Sequence, residues 1–291
     1  MPTEYIKSPL NYTGGKFKIL SSIIPLFPKK IRTFVDLFAG GFNVGINVSA
    51  DKIIANDHIS YLIELYQYFY ETPLDEVCAA IDGLIQEYEL SQENGAGYNR
   101  LRSNYNKDKT PIKLFVLACF SFNHQIRFNN SFEFNTPFGK ARSSYNSVIK
   151  ANLIKFCTQL KQGCYQFTNL DFRAIDFSAL GNEDVVYCDP PYLITSGSYN
   201  DGKRGFGDWA PTDDKDLLAK LDEANEKGIT FFLSNVFYHK GLTNDYLIEW
   251  SKKYRVISID KNYSNCSYHF KDRGTKTVEV LVTNMEVDDG Q

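Results

Sequence analysis

Seven short segments rich in β-branched and aromatic residues recur along the chain: Thr33 to Phe38, Lys52 to Asn56, Gln166 to Asn169, Asp184 to Cys188, Ile229 to Ser234, Tyr254 to Asp260 and Thr277 to Thr283. They are bounded by Gly, Asp or Asn and are too short for helices, so the pattern predicts seven buried strands. Amphipathic stretches run between several of them. Over Asp213 to Lys227, Leu217, Leu218, Leu221 and Ala224 share one helical face, and Thr212 is placed to cap the start. Strands that alternate with helices are best joined by crossovers, which predicts an α/β fold: a Rossmann-like, doubly wound, mostly parallel seven-stranded sheet. At 291 residues the chain can bury such a core without staples. Its six cysteines (Cys78, Cys119, Cys157, Cys164, Cys188 and Cys266) are scattered, contain no C-x-x-C pair, and read as reduced, buried thiols.

One interval breaks the alternation. From Ile59 to Cys164 the pattern is helical, over Tyr61 to Tyr70, Leu74 to Leu90 and Pro111 to Phe122, and then irregular through Asn123 to Tyr145. The reading is a smaller, mainly helical domain at residues 59–145, inserted into a larger one built from 1–58 and 146–291. Its last part mixes aromatic, amide and basic residues, as a hairpin or loop does.

The net charge of −3 is not that of a strongly basic nucleic-acid binder. Charge is uneven, however. Met1 to Arg32 holds six basic residues against one acidic, and His124 to Arg173 holds seven against two. Phosphate contacts need only one basic face, so these two segments are candidates for it. No apolar run approaches the length of a membrane span and no signal-peptide pattern opens the chain, which predicts a cytoplasmic protein without membrane contact. The histidines His58, His124, His239 and His269 lack ligand spacing, and no metal is expected.

The sharpest chemical signal is Asp189-Pro190-Pro191-Tyr192, directly after the strand Val185 to Cys188. Ligands of open parallel sheets sit beyond the carboxyl ends of strands. A carboxylate and a backbone carbonyl there suit a weakly nucleophilic amino group such as the exocyclic nitrogen of adenine, because both accept its hydrogens and favour an available lone pair. Asp189 and the Pro190 carbonyl fit those roles. The prolines stiffen the turn, and Tyr192 is placed to stack on a flipped-out base. A second signal is Phe34 to Phe42, an apolar strand running into glycines, with Asp57 about twenty residues after Asp36 to hold ribose hydroxyls. No pyrophosphate cradle is present, so the pair of motifs favours S-adenosyl-L-methionine over a dinucleotide. A third is Asn11-Tyr12-Thr13-Gly14-Gly15-Lys16, which lacks P-loop spacing and reads either as a bare turn or as a flap over the methionine end of that cofactor.

The order N-Y-T-G-G-K, D-L-F-A-G-G, N-D, R-F-N and F-N-T-P-F-G, then D-F and D-P-P-Y, resembles the Dam family of adenine-specific DNA methyltransferases across nearly the whole chain. The resemblance implies S-adenosyl-L-methionine binding by Tyr12, Gly14, Lys16, Asp36, Phe38, Gly40, Asp57 and Asp171, with Asp171 at the cofactor's adenine. It implies that Asp189, Pro190, Pro191 and Tyr192 form the catalytic loop, and that Leu193 to Trp209 is a loop that orders around the substrate. It also implies that the insert is a target-recognition domain for double-stranded DNA. There Asn123, Arg127 and Pro137 match family positions, Arg127 the base-reading arginine, with Asn11, Gln125, Asn129 and Lys140 as further DNA contacts. Asn11 and Gln125 depart from members that act on GATC, which carry lysine and leucine at those positions, so GATC is one candidate target. A cognate restriction endonuclease is the candidate protein partner. Two other readings stand beside this one. An RNA-adenine or protein-glutamine methyltransferase is one, although glutamine-modifying relatives carry Asn where Asp189 stands. A non-catalytic nucleic-acid-binding module on the same fold is the other.

Overall fold

The computed structural model describes residues 4–12, 14–195, 209–259 and 277–285. Among these residues a central sheet has eight strands: β1 (Thr33–Asp36), β2 (Lys52–Asn56), β3 (Tyr165–Thr168), β4 (Val185–Cys188), β5 (Thr230–His239), β6 (Leu242–Thr243), β7 (Arg255–Ser258) and β8 (Thr277–Thr283). Their order is β3-β2-β1-β4-β5-β8-β7, with β6 paired to β5. The pairs β1–β2, β1–β4, β2–β3 and β4–β5 are parallel, whereas β8 runs antiparallel to both β5 and β7. The expected count of seven strands is therefore one short. Lys240 and Gly241 both have positive φ, which closes a two-residue hairpin and lets β5 continue to His239 before β6 turns back on it.

Period-two alternation assigns each strand two faces. Phe34, Val185, Tyr187, Phe232 and Leu281 belong to one buried cluster, and Val35, Val186, Cys188, Phe231, Leu233, Val280 and Val282 to the other. Both faces of the sheet are thus covered. Eight α-helices are present among the described residues: α1 (Leu20–Ile23), α2 (Ser60–Glu71), α3 (Leu74–Glu87), α4 (Gly95–Lys107), α5 (Pro111–Phe120), α6 (Ser147–Gln162), α7 (Pro211–Glu226) and α8 (Asp245–Ser251). The second cluster is closed by α7 and α8, through Leu217, Leu218, Leu221, Leu247 and Trp250. The first extends through α2 and α6 to α5, which is buried along Leu114 to Phe120 and is apolar all round for that reason. None of these helices is long and apolar enough to cross a membrane.

Helix starts follow local chemistry. The Asn94 and Asn146 side chains accept from Gly97 N and Ile149 N, each at 2.9 Å, and so cap α4 and α6. Thr212 does not cap α7. That helix starts two residues earlier than expected, with Pro211 at its first position and the Asp213 carboxylate accepting from Ala210 N at 2.7 Å. The cysteine reading also needs correction, because Cys164 is exposed and Cys78 only half-buried, while Cys119, Cys157 and Cys188 are buried. Cys164 precedes β3 in a turn after Gly163, outside both clusters. Thr13, Cys266, His269 and most of Leu193 to Trp209 lie outside the described residues.

Candidate active site

Strand order reverses at β1: β2 and β3 lie to one side, β4 and β5 to the other. A crevice must open there at the carboxyl ends of β1 and β4. A cleft of about 380 Å³ occupies that position. Its lining includes all eight residues expected at a cofactor, Tyr12, Gly14, Lys16, Asp36, Phe38, Gly40, Asp57 and Asp171, together with Asp189, Pro190, Pro191 and Tyr192.

The β1 turn is held by its own glycines. Gly45 N donates to Asp36 Oδ2 at 3.1 Å, and a Cβ at Gly45 would lie 2.3 Å from the Phe42 ring, so only glycine permits that bond. Gly40, in the left-handed region at φ 48°, donates to Asp57 Oδ2 at 2.7 Å, while its carbonyl accepts from Tyr66 of α2 at 2.6 Å. Asp57 Oδ1 accepts from Ile59 N. Asp36 is fully buried, and among the described residues its Oδ1 has no hydrogen-bond partner. Burial pushes the Asp36 carboxyl up to about 8, against the lowering effect of the Gly45 N–H and with further raising by Asp189 and Asp57. Such a group is poised to receive a cation.

On the opposite wall Phe38, Phe172 and Trp209 form an aromatic triangle with centroid separations of 5.5, 5.6 and 5.7 Å. Asp171 caps the short turn Phe172–Ala174 by accepting from Arg173 N. Arg173 in turn pairs with Asp171, Asp213 and Asp216, which ties this turn to the start of α7. Trp209 was not foreseen from the sequence, where it stands among Gly and Ser without periodicity. Asn56 also has a different task from its neighbour Asp57. It bonds the Leu37 and Leu170 carbonyls, Leu170 N and the Thr168 hydroxyl, so it fastens the ends of β1, β2 and β3 together.

β4 ends at Cys188, just before Asp189, and Pro190 and Pro191 have no N–H to continue the ladder. Lys16 Nζ lies 2.8 Å from Asp189 Oδ1, 3.2 Å from Glu279 Oε1 and 2.6 Å from the Tyr192 hydroxyl, and 4.9 Å from the Tyr192 ring centroid. That hydroxyl is also 2.9 Å from Asp189 Oδ1, 3.0 Å from Glu279 Oε1 and 3.1 Å from Ser234 Oγ. Tyr192 is thus turned onto the Lys16–Asp189 pair, and both contacts on Asp189 fall on its Oδ1. Burial would lower the Lys16 ammonium, but the Asp189 and Glu279 carboxylates outweigh it and hold it above its ordinary value. Burial raises the Asp189 carboxyl; Lys16 opposes that rise and Glu279 adds to it. Glu279 and Ser234 carry no motif, and alternation along β5 and β8 was their only sequence signal.

The residues expected at DNA do not line this cleft; all but Asn11 lie on the segment after α5. Antiparallel bridges Ser121↔Phe138 and Phe128↔Phe134 close it into an irregular hairpin. Arg127 is exposed and its backbone is pinned, with its N donating to the buried Thr136 Oγ1 at 3.0 Å and its carbonyl accepting from Asn135 N at 3.0 Å. Pro137 and Lys140 are exposed, and Gln125 is half-buried. The Asn129 side chain closes the hairpin tip, accepting from Ser131 N and Glu133 N. Asn11 Nδ2 donates to the Asn123 carbonyl at 3.0 Å, joining the N-terminal motif to the hairpin across 112 positions. Asn123 and His124 both have positive φ, and Asn123 Oδ1 accepts from Arg142, whose guanidinium lies 5.0 Å from the exposed Phe122 ring. Arg142, two residues past Lys140, is a basic residue that the motif reading passed over.

Residues 12–265 match the family model of D12 class N6 adenine-specific DNA methyltransferases. The chain belongs to this family. Among its relatives, the type II methyltransferase M.FokI of Planomicrobium okeanokoites is 52% identical over 281 residues, covering 97% of this chain and 43% of that protein. The modification methylase StsI of Streptococcus sanguinis is 49% identical over 285 residues, with 97% and 43% covered. A DNA adenine methylase of Salmonella typhi is 30% identical over 263 residues, covering 88% of each. This D12-class chain therefore spans less than half the length of the first two relatives. The match takes in both the cleft and the hairpin, so the two regions belong to one family pattern.

Proposed function

We propose that this chain is a site-specific DNA adenine-N6 methyltransferase that uses S-adenosyl-L-methionine. The single observation that carries the reading is the convergence of the DPPY turn of β4 and the glycine turn of β1 on one cleft at the point where strand order reverses. In this reading the sheet is Rossmann-like and doubly wound, residues 1–58 with 146–291 form the catalytic domain, and residues 59–145 form an inserted target-recognition domain.

The cleft suits the cofactor. A buried carboxylate oxygen without a partner at Asp36 fits its ammonium group, Asp57 fits ribose hydroxyls, and the triangle of Phe38, Phe172 and Trp209 offers an apolar face to an adenine. Tyr12, Gly14 and Lys16 close the methionine side, and Asp171 stands at the adenine end. When bound, the cofactor supplies an electrophilic methyl group. The chain's own residues handle the acceptor. Asp189 and the Pro190 carbonyl accept the two amino hydrogens of a flipped adenine, which frees the nitrogen lone pair for attack. Lys16 opposes the rise that burial imposes on the Asp189 carboxyl and so favours its ionised form. After transfer the amino nitrogen carries one proton too many, and Asp189, which accepts from that amino group in this reading, is the base placed to take it. A ring-stacking role for Tyr192 requires its hydroxyl to leave the Lys16–Asp189 pair when a base enters.

The hairpin with Asn11, Asn123, Gln125, Arg127, Asn129, Pro137 and Lys140 is the proposed DNA surface, with Arg127 at a base edge and Lys140 at phosphate. The names of StsI and of a Lactococcus lactis relative, LlaI, as modification methylases, and of M.FokI as a type II methyltransferase, favour a restriction-modification setting with a cognate endonuclease. The test is to incubate purified protein with unmethylated genomic DNA and isotopically labelled S-adenosyl-L-methionine, then to identify the labelled nucleoside by mass spectrometry and map it by sequencing. N6-methyladenine in one short motif is the expected result. Cofactor binding without label in DNA would overturn the reading.

A further inference from the structure

We infer that Glu279 of β8 is a positioning residue of the catalytic turn, dividing Lys16 and the Tyr192 hydroxyl between itself and Asp189 so that Asp189 stays available to the acceptor nitrogen. The inference rests on the function proposed above.

Glu279 is not on a strand adjacent to β4. It reaches the catalytic turn across β5, where the ladder places Val236 opposite Glu279 and Ser234 opposite Leu281, so Ser234 and Glu279 are diagonal neighbours on one face. Its Oε1 alone makes the contacts: 3.0 Å to the Tyr192 hydroxyl, 3.2 Å to Lys16 Nζ and 3.5 Å to Ser234 Oγ. Asp189 Oδ1 competes for the same two donors at 2.9 and 2.8 Å. Tyr192 has one hydroxyl proton, so it donates to one carboxylate at a time. Lys16 is buried and has two carboxylates within reach of a single ammonium.

With Glu279 neutral, Lys16 and Tyr192 would both settle on Asp189. An aspartate with a full ion pair and a full hydroxyl bond is a poorer hydrogen-bond acceptor and a weaker base toward a third group. The groups facing Asp189 are Lys16 from the N-terminal turn, Tyr192 from its own loop, Asp36 from β1, Tyr187 and Cys188 from β4, and Glu279 from β8. Within this set Glu279 is the carboxylate in direct contact with both donors of Asp189.

The test compares wild type, E279Q and E279D by steady-state methylation of duplex DNA from pH 5 to 9, with cofactor affinity from calorimetry and stability from thermal unfolding. Glutamine keeps the shape and a hydrogen-bonding oxygen but not the charge. E279Q is expected to lower kcat about tenfold, to change the cofactor Kd by less than threefold, and to move the acid limb of kcat to lower pH, since Glu279 raises Asp189. E279D should restore the position of that limb. Wild-type kcat and an unshifted limb in E279Q would overturn the assignment, as would a variant that loses stability and not turnover. Wild-type protein with no transfer activity would count against the proposed function alone. The electrostatic division would then be read from amine-labelling of Lys16 followed by mass spectrometry. E279Q must lower the pH at which Lys16 becomes reactive, and an unchanged profile refutes the inference.

Discussion

Asp36→Asn separates a cost to folding from a gain in binding. The Asp36 carboxyl is fully buried and pushed up to about 8, and its Oδ1 has no hydrogen-bond partner among the described residues. In the unfolded chain the same group ionises near 3.9, so between those two values folding must take up a proton. The folded state binds more protons than the unfolded one across this window, and stability therefore falls as pH rises. At about 1.4 kcal/mol per unit, the penalty is roughly 1–2 kcal/mol at pH 5, about 4 kcal/mol at pH 7, and levels off near 5–6 kcal/mol above pH 8. Asparagine carries no such penalty and can still accept from Gly45 N. Urea unfolding of the cofactor-free protein at pH 5, 7 and 8.5 should show the variant more stable by a margin that grows with pH. Its cofactor affinity should fall at least tenfold, because a neutral amide cannot pair with an ammonium. A variant less stable than wild type at pH 7, or a margin independent of pH, would refute the reasoning.

Asp189→Ala should reduce single-turnover methylation by at least about a thousandfold while calorimetry gives a cofactor Kd within threefold of wild type, since the lost acceptor acts in the transition state. Trp209→Ala removes one side of the aromatic triangle and should weaken cofactor binding about tenfold, equivalent to about 1.4 kcal/mol, as read by fluorescence or calorimetric titration. Arg127→Ala should cost about 1–3 kcal/mol of discrimination between target and near-target duplexes, measured as a ratio of kcat/KM values, with cofactor affinity unchanged. Equal loss on every sequence would assign Arg127 to phosphate.

The strands were legible because burial on both sheet faces forces compact apolar runs, and Thr277 to Thr283 matches β8 end to end. β5 was read five residues short. Its extension through Asn235 to His239 pairs with β8 and ends in the Lys240–Gly241 turn, and neither signal lies within a strand's own apolar run. The cleft residues were legible wherever chemistry constrains a local motif, as at Asp36 to Gly45 and at the DPPY turn. Trp209, Ser234 and Glu279 were not, since each joins the site from a distant strand or loop and its role depends on three-dimensional register. Asn129 shows the reverse case, a polar residue in an informative motif whose side chain is engaged in holding the hairpin tip.

The parallel core of the sheet also fixes when the chain can fold. β2 stands beside β3, whose first residue is more than a hundred positions away, and Thr33 N donates to Asp184 Oδ1 across 151 positions. Arg32 fastens the same junction through the Asp184 carboxylate, which it holds below its ordinary range despite burial, together with Gly181 N and Thr33 N. The β2–β3 ladder cannot form on a ribosome until residue 168 has been made, nor the Asp184 contacts until residue 184, while α2 to α5 can pack on one another well before. Loop closure over such spans is slow and leaves the outer edges of the β1–β2 pair open meanwhile. The helices between β2 and β3 are therefore the part of this chain that has time to fold first, and the cleft is the last thing to exist.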